Sequence, residues 1–232
     1  MTATNSCGFP VVFTAFPHPL RHFRQSLSAQ RKTRVVALGS SSTAGTNNIV
    51  AFPARIEQRL RKANFGCVID VLNRGIGGQE AAEELSRFES DVLAEQPALV
   101  IWQVGTNAAY RAGIYSPDEV EAALRVGLGW LTGTQRMDVI VMDLQYTAAI
   151  VEKPERLAFA VDMQRRIEQV TTAAGVNLFR RWDLMKGWCD AGLPLSALDD
   201  GHDDHLHMSE CATANVSEVL AHAIMTSPAP VT

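Results

Sequence analysis

Five short apolar runs, each ending in small or polar residues and each followed by a helix-patterned stretch, constrain this chain more than any other feature. They are Arg34 to Leu38, Cys67 to Leu72, Ala98 to Val104, Met137 to Met142 and Val176 to Phe179. The runs are β-branched and nearly continuous in apolar character, as expected of strands covered on both faces. Between them, Phe52, Ile56 and Leu60 recur at helical spacing, and Glu80 to Leu93 reads as a second helix. Ser116-Pro117-Asp118-Glu119 carries a helix-start signal, with Ser as N-cap, Pro at the first position and acids in the first turn. A long helix follows Pro154, with Leu157, Val161, Ile167, Val170 and Ala174 expected inward and Gly175 closing it. Trp182 to Trp188 reads as a short helix and Met208 to Ile224 as the last one. Such alternation predicts a three-layer α/β/α fold around a five-stranded parallel sheet in the flavodoxin-like order 2-1-3-4-5.

That order matters for function. Strand 1 would lie between strands 2 and 3, so the turns after all three become neighbours at the carboxyl edge, where open α/β sheets bind ligands. No linker interrupts the pattern, which predicts one domain over residues 31–232 and an N-terminal extension over residues 1–30. Within the extension, Gly8 to Phe16 is apolar, but Arg21, His22 and Arg24 come after it, the reverse of an export signal. Export and a cytoplasmic location both stay open. The net charge of −4 argues against nucleic acid as a partner, and no stretch of 18 apolar residues suggests a transmembrane segment. The cysteines, Cys7, Cys67, Cys189 and Cys211, are scattered, and nothing in their spacing asks for a disulfide or a metal site.

The turn after the first strand is Gly39-Ser40-Ser41-Ser42. Alone, it fits a flexible connection or a phosphate-binding turn as well as a nucleophile. A serine becomes a nucleophile only when a base takes its proton and a third group fixes the base. The base candidate lies far away, in Asp203-Asp204-His205-Leu206-His207. A carboxylate at Asp204 can reach one ring nitrogen of His207 in a tight turn and leave the other free, with Asp203 a weaker substitute. The same cluster of His and Asp side chains could also be read as metal ligands, although no helical ligand pair accompanies it.

Taken together, Gly39-Ser40-Ser41, Asn73-Arg74-Gly75-Ile76-Gly77-Gly78, Gly105-Thr106-Asn107 and Asp204-His205-Leu206-His207 resemble, in order and after the expected strands, the blocks of the SGNH or GDSL hydrolases. The resemblance covers roughly Arg34 to Ile224. It implies a carboxylic ester hydrolase with Ser41 as nucleophile, His207 as base and Asp204 as its orienting acid. It implies an oxyanion hole from the Ser41 and Gly78 N–H groups and the Asn107 amide, with no metal or organic cofactor. One position departs: Ser40 stands where the family carries aspartate, so a hydroxyl replaces a carboxylate that helps hold the block.

Substrate contacts are expected from the loops 108–115, 145–152 and 180–198, and in particular from Tyr110, Arg111, Gln145 and Tyr146. The substrate would be a small-molecule or carbohydrate ester, with short acyl or acetyl groups favoured by the absence of a long hydrophobic lid. Thioester or lysophospholipid hydrolysis is the alternative within the family. Outside it stand a non-catalytic binding module and a phosphate-binding α/β protein, the latter lacking the P-loop lysine. Oligomeric state is not legible.

Overall fold

The computed structural model describes residues 7–10, 12–29, 32–46 and 48–229. In chain order the elements are α1 (Arg21–Ala29), β1 (Lys32–Gly39), α2 (Ser41–Ala44), α3 (Phe52–Ala63), β2 (Val68–Gly75), α4 (Ala81–Leu85), α5 (Phe88–Asp91) and β3 (Leu99–Gln103). There follow α6 (Thr106–Tyr110), α7 (Pro117–Gly133), β4 (Asp138–Met142), α8 (Ala148–Val151), α9 (Pro154–Ala174), β5 (Asn177–Phe179), α10 (Arg181–Asp190) and α11 (Glu210–Thr226). The five strands form one parallel sheet in the order β2-β1-β3-β4-β5, as the alternation predicted.

The sheet separates two apolar layers. On one face, Val35, Ala37, Ile101, Ile140 and Met142 pack with α1, α3, α10 and α11. On the other, Val36, Leu38, Val100, Trp102 and Val141 pack with α4 to α9. Alternate residues of one strand feed opposite layers, and this is why the central strands are nearly continuous in apolar character. Residues ahead of β1 join the first layer, since Phe9, Phe16, Leu20 and Phe23 are buried there. Cys7 is disulfide-bonded to Cys211 at the start of α11, a pairing across 204 positions that spacing could not reveal. Cys67 and Cys189 are free thiols, both partly buried.

Several elements differ from expectation. The stretch from Glu80 to Leu93 breaks into α4, α5 and a 3-10 turn, because Arg87 and Val92 leave helical geometry. In α9, Val161 faces solvent, whereas Ala160, Met163, Ile167, Val170 and Thr171 turn inward. Ser116 and Glu119 form the reciprocal cap at the start of α7, and Gly175 closes α9 with φ +65°. Among the described residues no helix is long and apolar enough to cross a membrane.

Candidate active site

β1 ends at Gly39 and the chain turns at once into the single helical turn α2, which begins at Ser41. Two close approaches shape this turn. A side chain at Gly75 would bring its Cβ to 2.1 Å from the Ala44 nitrogen, and one at Gly39 would meet Thr43 Oγ1 at 2.3 Å. The end of β2 therefore touches α2 backbone to backbone. Gly75→Ala is expected to push α2 away, costing about 1–3 kcal/mol of stability. Chemical denaturation measures the loss.

The Gln103 side chain, buried at the end of β3, organises the serine turn from below. Its Oε1 lies 3.1 Å from both the Ser40 N–H nitrogen and Ser40 Oγ, 3.0 Å from Ser42 Oγ and 3.2 Å from Thr43 Oγ1. Ser40 thus does not work alone in the place of the expected aspartate; the acceptor comes from the neighbouring strand. Sequence reading missed Gln103, although one polar residue closing the apolar run Leu99-Val100-Ile101-Trp102 was the available signal.

Under Ser42 and Thr106 sits Arg181, fully buried at the start of α10. Its guanidinium donates to Ser42 Oγ at 3.2 Å, Thr106 Oγ1 at 3.1 Å and the Asp143 carbonyl at 2.8 Å. Burial lowers its pKa to about 10, so it keeps its charge at neutral pH. The Asp143 carboxyl, buried beside it, accepts from the Trp182 N–H at 3.0 Å. Loss of water outweighs these contacts and pushes the Asp143 pKa up from 3.8 to about 7. The native state thus holds this proton where the unfolded chain has released it. Its contribution to stability is complete below about pH 4 and is lost as pH rises through about 7. Asp143→Asn is expected to flatten the slope of unfolding free energy over that window, measured by denaturation at several pH values.

The candidate base arrives from the other end of the chain. His207 Nε2 is 3.0 Å from Ser41 Oγ, across 166 positions of sequence. On its far side, His207 Nδ1 is 3.6 Å from Asp204 Oδ2, close for an ion pair but beyond hydrogen-bond length. The Asp204 carboxylate is held in the turn by the Leu206 N–H at 3.1 Å. The loop itself is tethered on three sides. The Asp200 N–H donates to the His207 carbonyl at 3.1 Å, and the Ser209 N–H donates to the Leu198 carbonyl at 2.7 Å. His205, with φ +49°, pairs its Nδ1 with Asp199 Oδ2 at 2.7 Å. His207 is mostly buried, while Asp204 keeps 39% of its side chain exposed. An open depression of about 380 Å³ lined by Thr46, His202, Asp203, Asp204 and His207 leads to the pair.

The other turns converge as the strand order requires. Gly77 lies beside Ser41, since a Cβ there would be 3.9 Å from the serine's own. Gly78 has φ +80°, a conformation that favours glycine. The Asn107 side chain is buried and its amide donates to the Gln79 carbonyl at 2.8 Å, leaving its second hydrogen uncommitted by that bond. Arg111 is exposed and reaches the Gly78 carbonyl at 3.3 Å, next to these donors. Tyr110 lies under the Arg156 guanidinium, 4.3 Å from its ring centre.

Two residues expected at the substrate are placed elsewhere. Gln145 is buried, and its amide donates to the Leu206 carbonyl, so it steadies the histidine loop instead of lining the groove. Tyr146 packs edge-on against Trp182 at 4.9 Å, between the two apolar layers. The segment 180–198 is likewise no open loop, because α10 buries Arg181, Trp182, Leu184, Met185 and Trp188. Among the described residues, no group of three or more His, Cys, Asp or Glu side chains is arranged to hold a metal.

A model of the non-GDSL lipase-like family matches residues 6–228. The chain belongs to the non-GDSL lipase-like family. That name accords with a turn reading Gly39-Ser40-Ser41, without the aspartate. The chain is also 38% identical over 78 residues to the uncharacterized lipoprotein YqeF of Bacillus subtilis (strain 168), a match that spans 32% of each chain, about a third of that relative's length. In fold, this family member is similar to an acetylxylan esterase from Geobacillus stearothermophilus, with a TM-score of 0.67 and 21% identity over 83% of this chain and 94% of that one. It is similar as well to a lipase/acylhydrolase from Enterococcus faecalis, with a TM-score of 0.67 and 19% identity over 83% and 95% of the two chains. Family and fold together support the SGNH/GDSL-like resemblance read from the sequence.

Proposed function

We propose that this protein is a serine esterase that hydrolyses short-acyl carboxylic esters, acetyl esters of carbohydrates foremost. The 3.0 Å approach of His207 Nε2 to Ser41 Oγ carries the proposal, since no structural need brings these two polar groups together at the carboxyl edge of the sheet. In the reaction, Ser41 Oγ attacks the ester carbonyl while His207 takes its proton; Asp204 steadies the imidazolium. The oxyanion of the tetrahedral intermediate is received by the Ser41 and Gly78 N–H groups and the Asn107 amide. His207 returns the proton to the departing alcohol, leaving an acyl group on Ser41. Water, deprotonated by the same imidazole, then releases the acid. The long Asp204 contact is of the kind that tightens when substrate is bound.

The fold neighbours support this reading. Variants of the Geobacillus acetylxylan esterase described as catalytic mutants replace one serine, one aspartate and one histidine, and the histidine follows the aspartate by three positions, the spacing of Asp204 and His207 here. The exposure of Arg111 beside Gly78 supports it as a side chain that meets the substrate.

A fluorophosphonate probe is the direct test. It is expected to label Ser41 in the wild type and to leave both Ser41→Ala and His207→Ala unlabelled. Labelling of another serine, or none, would remove the assignment. A panel of p-nitrophenyl esters and acetylated sugars then ranks acyl length, with turnover expected to fall beyond short chains.

A further inference from the structure

The carboxylate of Glu80, at the start of α4, is almost fully buried, an unfavourable place for a charge unless several donors meet it. Its Oε1 accepts the N–H groups of Ala81 at 3.0 Å and Gly105 at 2.8 Å, and its Oε2 accepts that of Ala108 at 2.9 Å. Ala81 opens α4, so Glu80 caps that helix in the ordinary way, with Glu83 returning a contact to the Glu80 N–H at 3.1 Å. The other two donors belong to a different turn. α6 starts after Gly105, which has no side chain to serve as a cap, and Ala108 is its third residue. An N-cap side chain accepts from the second or third residue of its helix, and at α6 the carboxylate that does so comes from 25 to 28 positions away.

Both turns joined by this group carry candidate oxyanion donors. Gly78 lies two residues before Glu80, and Asn107 lies between Gly105 and Ala108. The same two turns meet again where the Asn107 amide donates to the Gln79 carbonyl at 2.8 Å. One buried carboxylate therefore ties together the two turns that carry the Gly78 N–H and the Asn107 amide. Glu84 is the neighbouring buried carboxylate and makes a useful contrast. Its carboxyl accepts from Trp102 Nε1 at 2.7 Å and hydrogen-bonds to neither turn.

We infer that Glu80 is a positioning residue of the oxyanion hole, a shared cap that holds the Gly78 and Asn107 donors in register for the tetrahedral intermediate. The inference rests on the esterase reading. Glu80→Gln keeps the shape but sets an amide donor against backbone donors, loosening one arm of the clamp. Glu80→Asp keeps the carboxyl group and shortens the reach.

The test compares wild type, Glu80→Gln, Glu80→Asp and Glu84→Gln in p-nitrophenyl acetate turnover. It also measures inhibition by phenylboronic acid, whose tetrahedral serine adduct puts an oxygen in the hole. Glu80→Gln is expected to lower kcat about 10- to 100-fold with KM within about threefold, and to weaken boronate binding by a similar factor. Glu80→Asp should fall between it and wild type, and it serves as the variant to measure should Glu80→Gln not fold. Glu84→Gln, where the loss is one of packing and not of the hole, should keep kcat within about twofold. Unchanged kcat in both Glu80 variants, or an equal loss in Glu84→Gln, overturns the inference while leaving Ser41-dependent turnover intact. Wild-type protein with no Ser41-dependent turnover overturns the esterase reading and this inference with it.

Discussion

Ser41→Ala is expected to lower kcat/KM for p-nitrophenyl acetate by about 10⁴-fold or more, and His207→Ala by a similar factor. The two residues act as a unit, so the double variant should lose little more than either single one. Their removal takes away the bond-forming atom or its proton acceptor, and leaves the rest of the site in place. Residual activity would come from the oxyanion donors alone. Asp204→Ala is expected to be the mildest of the three. Its carboxylate stands 3.6 Å from the imidazole and is partly solvated, so its orienting pull is weaker than that of a buried partner. Steady-state kinetics at several pH values measure all three. A Ser41→Ala enzyme that still turned over the ester at the wild-type rate would end the assignment.

The second large effect concerns stability. Cys7→Ser, or reduction of the Cys7–Cys211 disulfide, is expected to lower unfolding free energy by roughly 2–5 kcal/mol and Tm by about 10 °C. The bridge closes a loop spanning 204 positions, near the long end at which chain-entropy models give their largest effect. It also pins the segment holding Phe9 to the start of α11. Phe9 itself packs edge-on against Trp188 at 4.8 Å, so releasing the tie loosens an apolar contact as well. Thermal unfolding with and without a reductant measures the difference. An unchanged Tm would mean that Phe9, Phe16 and Leu20 hold the segment by burial alone.

The sheet was legible because strands covered on both faces are nearly continuous in apolar character, as the five runs are, and its order because 2-1-3-4-5 is a usual solution for five strands alternating with helices. The candidate site positions were suggested by four sequence blocks that together resemble one family, and the structure brings two of them, Ser41 and His207, to 3.0 Å. What stayed hidden was the layer beneath. Gln103, Glu80 and Arg181 are polar groups whose partners lie 60, 25 and 139 positions away, and a one-dimensional pattern carries no mark of such pairings. Gln145 misled in the opposite direction. A polar residue just past a strand end suggests a groove, yet its amide is spent on the Leu206 carbonyl. The division of Glu80 to Leu93 into short helices was equally invisible, since at the break Arg87 turns its guanidinium to the distant Arg74 and Gly39 carbonyls.

The wide separation of Ser41 and His207 along the chain has a consequence for when activity can arise. During synthesis the serine emerges 166 residues before its base, long enough for β1, β2 and β3 to pair around it. Throughout that interval the hydroxyl remains an ordinary alcohol. On the proposed esterase reading, the nascent polypeptide is thus chemically silent towards esters until the final layer closes, and the onset of turnover is itself a clock for completed folding.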